Sequence, residues 1–425
     1  MRARWTSGRA TTTPCWRWRA TARSCCWAKP PTARTSSTSC AARSPAAIAE
    51  AGFDAVALEA DWPDTLRLNR YARGAGDDTL DEAFGDFDRF PTWMWRNRAM
   101  CDFVQWLREH NRRTQGDVGL YGLDLYSLYR SADAVVGYLE RTAPEHAATA
   151  RRLLSCLDHV RDPQDYGYEA AAGLRQSCNA AIRRLIDDLA RRADSLARTD
   201  AAALDAHFEA ERNAHVVLRA EAYYRAMFDD RVHTWNLRDA HMVDTALALR
   251  RHLRMRGREG RIVIWAHNSH LGDARATEMG EHGEWNIGQL LREQIGAGRT
   301  LLVGFTTYTG HVTAAREWDQ PPERRWVRPA RRDSYEHAFH ASGLDRFFLP
   351  LSQERGRTLG GPLLERAIGV VYRPESERAS HYFDARLGEQ FDAVFHLDET
   401  TAVEPLDIHE RWVRHETPET YPFGV

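Results

Sequence analysis

The stretch RIVIWAHNSH, Arg261 to His270, decides how the chain is read. The apolar run Ile262 to Trp265 has the length of a strand buried on both faces in a parallel sheet, and the polar residues after it mark its end. His267, Asn268 and His270 follow directly, then Gly272. In open α/β sheets, chemistry collects just beyond the carboxyl ends of such strands. Two imidazoles there can move protons near neutral pH or bind a metal. The plainer alternative is a pair of structural histidines. The intervening Asn268 and Ser269 make the segment polar where a strand need only turn, and this favours function.

Working outward, AGFDAVALEADWPD (Ala51 to Asp64) reads as a strand through Val56 and Leu58 that ends at Glu59. Pro91 to Arg113 reads as an amphipathic helix, with Trp95, Phe103, Trp106 and Leu107 at helical spacing behind a leading proline. VGLYGLDLYS (Val118 to Ser127) reads as the next strand and carries Asp124 near its end. Helical periodicity then runs from about Ser131 to Arg256, most clearly over Leu174 to Arg198 and Ala201 to Asp229. Thr300 to Tyr308, Ala367 to Arg373 and Asp392 to Thr400 read as further strands. Strands alternating with helices predict an α/β fold: a mostly parallel central sheet flanked by helices, with a large helical insertion or cap over about 131–256. The folded domain is expected over 48–405, with a tail over 406–425.

Composition narrows the function. Of 425 residues, 43% are hydrophobic and 28% charged, which describes a soluble globular chain with ample core. A net charge of −2 gives no sign of nucleic acid or an anionic membrane as partner. No apolar stretch approaches a membrane span and no secretory signal is visible, so a cytoplasmic protein is expected. The seven cysteines match no zinc-ribbon or redox spacing, and Cys101, Cys156 and Cys178 read as buried thiols.

The first 47 residues do not fit the rest. No Asp or Glu occurs before Glu50, and Trp, Cys, Arg, Thr, Ser and Pro dominate without period. A disordered basic tail is one reading, but four tryptophans and four cysteines argue against it. Translation in the wrong frame is the other. SCCWAKPPTARTSS (Ser24 to Ser37), given GC-rich codons and started one nucleotide earlier, permits VVLLGEA-[S/T]-HGTHEF, a buried strand followed by a Glu and His cluster.

Several residues could carry chemistry. Glu59 ends a buried strand beside Asp61 and Trp62, and Asp124 ends another. Each is a candidate proton carrier, ligand or orienter, or else a structural sheet-end carboxylate. With His267 they are expected to meet at one mouth, Glu59 facing His267. WNLRDAHM (Trp235 to Met242) places Arg238 and His241 on one helix face, either a cleft or a solvated surface. His267, His270 and Glu59 could form a three-ligand metal site, but the spacing lacks the helical HExxH geometry. No GxSxG elbow, P-loop or GxGxxG fingerprint occurs. TTYTGH (Thr306 to His311) and SHYF (Ser380 to Phe383) read as loop and packing elements, and Trp93 and Trp95 as helix core.

ALEADWPD, GLDLYSLYR, WNLRDAHM and above all WAHNSHLGDA together resemble the erythromycin esterase family, over about Ile48 to Pro405. The resemblance implies a metal-independent hydrolase that needs no cofactor and opens the ester of a macrolide lactone, using a His as general base for water. It implies active-site roles for Glu59 and His267, and His270 and Asp124 match further family positions; the candidate site is therefore read as catalytic Glu59, His267 and His270 with substrate-binding Asp124, Asn268 and Arg238. The family's base and a partner Glu sit in a Gly-Glu-x-[Ser/Thr]-His motif after the first strand. That motif is absent from the chain as written, and the shifted frame restores it. The remaining alternatives are a binding protein that has lost its chemistry and a metal-dependent hydrolase.

Overall fold

The computed structural model describes residues 52–408, except 159, 161, 197–200, 229–230, 352–358 and 360, together with the backbone at 3–4 and 24–29. Most of the segment expected to be aberrant over 1–47, and the tail from 409 onward, lie outside the described residues. The protein is an α/β fold whose chain divides into two compact units. One comprises Met1–Phe53, Arg70–Gly119 and Val263–Val425, the other Asp54–Asn69 and Leu120–Ile262.

The first unit holds a sheet with neighbours in the order β1 (Ala3–Arg4), β8 (Arg346–Pro350), β11 (Ala393–Thr400), β6 (Thr300–Ala314), β2 (Ser24–Lys29) and β5 (Ile262–His267). Strands β11 and β2 flank β6 in parallel, with Ser24 opposite Thr300 and Phe395 opposite Phe305. Antiparallel pairs close the edge, β8 on β11 and β7 (Glu323–Val327) on the far end of β6. Residues Ile262 to Ala266 of β5 are buried, as expected of an apolar strand covered on both faces. Trp265 meets Trp95 and Phe103 edge-on, at centroid distances of 5.6 and 5.9 Å.

The second unit holds β3 (Ala55–Asp61) beside β4 (Gly119–Asp124), and the helical block. A Cβ on Gly122 would lie 2.4 Å from the Asp61 carbonyl, so only glycine lets β4 run this close to the end of β3. The block comprises Leu128–Thr142, Pro144–Leu154, Pro163–Ala171, Asn179–Leu196, Ala201–Ala226 and Arg231–Met255. Its core is an apolar cluster that includes Val135, Tyr166, Ile182, Leu185, Val217 and Tyr224.

Some sequence expectations need correction. The helix read from Pro91 begins at Arg98. Asn97 caps it, accepting from Met100 N while its amide donates to the Trp93 and Met94 carbonyls. Trp93 and Trp95 therefore precede the helix, although both are buried. The chain at 367–373 is not a strand; the strand is β9 (Leu363–Arg366), which pairs with β10 (Tyr382–Ala385). Strand β6 runs through Thr306 to His311, which was read as loop. Cys156 and Cys178, read as thiols, are joined in a disulfide with Cα atoms 5.7 Å apart, and Cys101 is a buried free thiol.

Candidate functional site

In the second unit, the sequence-predicted Glu59, Asp124 and Arg238 come together. Arg238 projects from the N-terminal third of the helix Arg231–Met255, while β3 and β4 present the two carboxylates. Its Nε donates to Asp124 Oδ1 at 3.0 Å and its Nη2 to Asp124 Oδ2 at 2.6 Å, a two-point fork. The same Nη2 donates to Glu59 Oε1 at 3.1 Å. The guanidinium carbon lies 5.1 Å from the centroid of the Tyr126 ring. Burial alone would weaken the guanidinium's hold on its proton, but the Asp124 carboxylate beside it, with Glu59, keeps it above its ordinary range. The Tyr126 phenol is pushed up by burial.

Neighbouring contacts fix this frame. Tyr126 N donates to Asp61 Oδ1 at 3.0 Å, and the Tyr224 hydroxyl donates to the Tyr126 carbonyl at 2.9 Å. A guanidinium is a donor-only group that stays charged. The cluster is thus a fixed guanidinium held between two carboxylates, net negative by one charge, suited to orienting a water.

In the first unit, the chain leaves β5 and makes one helical turn, Asn268–Leu271. His267 is the residue that caps it. Its Nδ1 accepts from Ser269 N at 3.2 Å and lies 2.8 Å from Ser269 Oγ. Its Nε2 lies 3.1 Å from the Ile368 carbonyl. A carbonyl can only accept, so Nε2 carries the proton and Nδ1 is the acceptor. Asn268 is buried, and its amide is engaged on both sides. Nδ2 donates to the Phe305 carbonyl at 2.8 Å and to Glu365 Oε1 at 3.1 Å, while Oδ1 accepts from Phe305 N at 3.1 Å. His270 is buried on the same turn. Asn286 ties the turn to the next helix, donating to the Ser269 carbonyl at 2.9 Å while capping Ile287–Ile295. A Cβ on Gly288 would fall 2.2 Å from the Leu271 carbonyl, so that helix can begin there only with glycine.

The six predicted residues therefore form two groups: Glu59, Asp124 and Arg238 in one unit, and His267, Asn268 and His270 in the other. Sequence reading missed Glu365 and Ile368, which hold Asn268 and His267. The available signal was the charged pair Glu365–Arg366 inside the apolar run from Leu363 to Val371. Among the described residues, no group of three or more His, Cys, Asp or Glu side chains is disposed to hold a metal ion. Nor is any helix among them long and apolar enough to cross a membrane.

Comparison with known proteins adds four observations. The sequence profile of the erythromycin esterases matches residues 48–400. A Bacillus cereus protein of solved structure superposes with a TM-score of 0.76 at 16% identity, covering 93% of each chain. A protein described as a succinoglycan biosynthesis protein gives 0.76 at 18% identity over 96% of each chain, and an erythromycin esterase mutant in its open conformation gives 0.63 at 17%, over 92% of this chain and 94% of its own. At these identities the structural likenesses establish the fold.

Proposed function

Because the chain belongs to the erythromycin esterase family, we propose that its fold is built to cleave the ester of a macrolide-type lactone with base-activated water, and that this polypeptide is impaired in that reaction. The observation that carries the reading is the placement of β2. The backbone at Ser24–Lys29 lies between β6 and β5, and the turn Asn268–Leu271 packs against it. In the shifted frame those six positions read VVLLGE, and the His-rich run follows at once. The restored motif would then leave the sheet beside the histidine segment. As written, the chain has neither that Glu nor that His, and the general base is missing.

In this reading each remaining group keeps a role. Hydrolysis needs a base to take a proton from water and a donor for the oxyanion. The Nε2 proton of His267, now given to Ile368, is the donor. Glu59, held by Arg238, orients water. His270 is the nearest substitute base on the histidine turn. Arg238 and Asp124 bind substrate oxygen, and Asn268 keeps the turn in place.

The test is to assay the frame-corrected protein against macrolide lactones and simple esters, with H267A as control. Hydrolysis of the lactones, reduced at least tenfold in H267A, supports the proposal. No hydrolysis by the corrected protein overturns it. The absent base favours one second reading, a binding protein without turnover. Tight macrolide binding by both forms, with hydrolysis by neither, would establish that reading instead.

A further inference from the structure

We propose that Glu365 is a positioning residue for the histidine segment, gripping Asn268 through its buried carboxyl while the Ile368 carbonyl, three residues on, grips His267. The proposal rests on the reading of that segment as part of the reacting centre. Adjacent residues of the motif are held by one short stretch of chain, at 3.1 Å in each case. That stretch is itself immobilised. Ile368 is fully buried with Val312, Ala314, Val327 and Tyr372. Arg366 donates to the Thr307, Tyr308 and Arg328 carbonyls and to Glu377, and its backbone N–H donates to Glu336 Oε1.

Glu365 is fully buried and, among the described residues, no cation faces it. The titratable groups turned toward it among the described residues are Glu336 and Tyr335, both on Tyr335–His340; from Leu387–Gln390 comes only the Gln390 carboxamide. Gln390 fits because Gly272, directly after the histidine turn, has no Cβ to occupy its place. Glu365 Oε2 and Gln390 Oε1 are both buried acceptors without a hydrogen-bond partner. Burial, with the Glu336 charge, pushes the Glu365 carboxyl up to about 8, against the hydrogen bonds from Gln390 and Asn268, which favour its ionised form. Oε1 accepts from Asn268 in either state, but ionisation puts an uncompensated buried charge beside Glu336 and so loosens the stretch that carries Ile368.

The test uses full-length wild-type, E365Q and E365A proteins, with histidine-ring ¹⁵N spectra recorded between pH 7 and 9.5 and His267 assigned from H267Q. Wild type should show the Nε2–H signature of His267 at pH 7 and lose it as pH rises past about 8. E365Q, neutral throughout, should keep it to pH 9.5. The sign in stability is fixed as well. A carboxyl raised in the folded state stabilises below the unfolded value of about 4.5, and that stabilisation is lost as pH rises toward about 8. Relative to E365Q, the wild-type unfolding constant should therefore grow by up to about tenfold per pH unit across that window. E365A should lose the ring signature at every pH; should it fail to fold, E365Q against wild type still decides. Identical pH behaviour in E365Q and wild type overturns the proposal. A frame-corrected protein with the wild-type ring signature but no hydrolysis of erythromycin would count against the esterase reading alone.

Discussion

His267 donates its Nε2 proton to the Ile368 carbonyl at 3.1 Å, and this one contact fixes the tautomer of the first motif histidine. The acceptor nitrogen, Nδ1, is thereby committed to capping the turn that follows. H267A removes both contacts and should cost about 1–2 kcal/mol, whereas H267N, with a capping oxygen, should recover part of the loss. Urea denaturation of the three proteins measures this, and equal stability of H267A and wild type would refute it.

At Asn268 the donor end of the amide faces two acceptors, the Phe305 carbonyl and Glu365. N268D replaces that donor with a charged acceptor in a buried place. It should destabilise by about 3 kcal/mol at pH 7, more than N268A, because unmatched buried charge costs more than a missing bond. The ordering of the two variants in denaturant is the readout.

Arg238 and Asp124 form a nearly buried fork, at 15% and 4% side-chain exposure. Removing one partner of such a pair strands the other, so D124A should cost about 3 kcal/mol. R238K should fail to restore it, since an ammonium cannot make the two parallel bonds. A double-mutant cycle between Arg238 and Glu59, joined by one bond at the more open side, should give a smaller coupling of about 1 kcal/mol. A loss below that in D124A would show the fork to be incidental.

Acid should unfold the second unit through His241. Burial, with the Arg212 and Arg219 charges, drives its imidazole down to about 3. Unfolding restores a value near 6.5, so between about pH 6.5 and 3 the unfolded chain binds the extra proton and stability falls as pH falls. H241Q should flatten the slope of stability against pH there by up to about 1.4 kcal/mol per unit. An unchanged slope would mean that His241 does not govern the acid limb.

The Cys156–Cys178 bridge closes a loop with a sequence separation of 22 within the helical block. In the chain-entropy account a loop of this size stabilises by about 3 kcal/mol. Adding reductant should lower the thermal midpoint of wild type and leave that of C156S/C178S unchanged.

Where sequence reading succeeded, the signal was local. The apolar run before His267 specified a buried strand, and the polar residues after it specified the turn. Similarly, Leu58–Glu59 and Leu123–Asp124 revealed carboxylates at or near strand ends. What was missed depends on partners distant in sequence. Arg238 was singled out for sharing a helix face with His241, whereas its position is set by Asp124, 114 residues away. The run Ala367 to Arg373 has strand-like composition, yet its backbone groups are spent elsewhere: Ala367 N donates to His381 and Tyr372 N to Ala315, while the Ile368 carbonyl holds His267. The burial of Glu365 could not be read at all, because Asn268, Glu336 and Gln390 converge on it only in the folded chain. Likewise, a separation of 22 residues gives no hint that Cys156 and Cys178 meet.

The most direct measurement is mass spectrometry of erythromycin incubated side by side with the chain as written and with the frame-corrected chain. The account predicts a product heavier by one water from the corrected chain alone, and unchanged lactone from the other. Water addition at comparable rates by both would contradict it, because the base restored by the frame would then be dispensable.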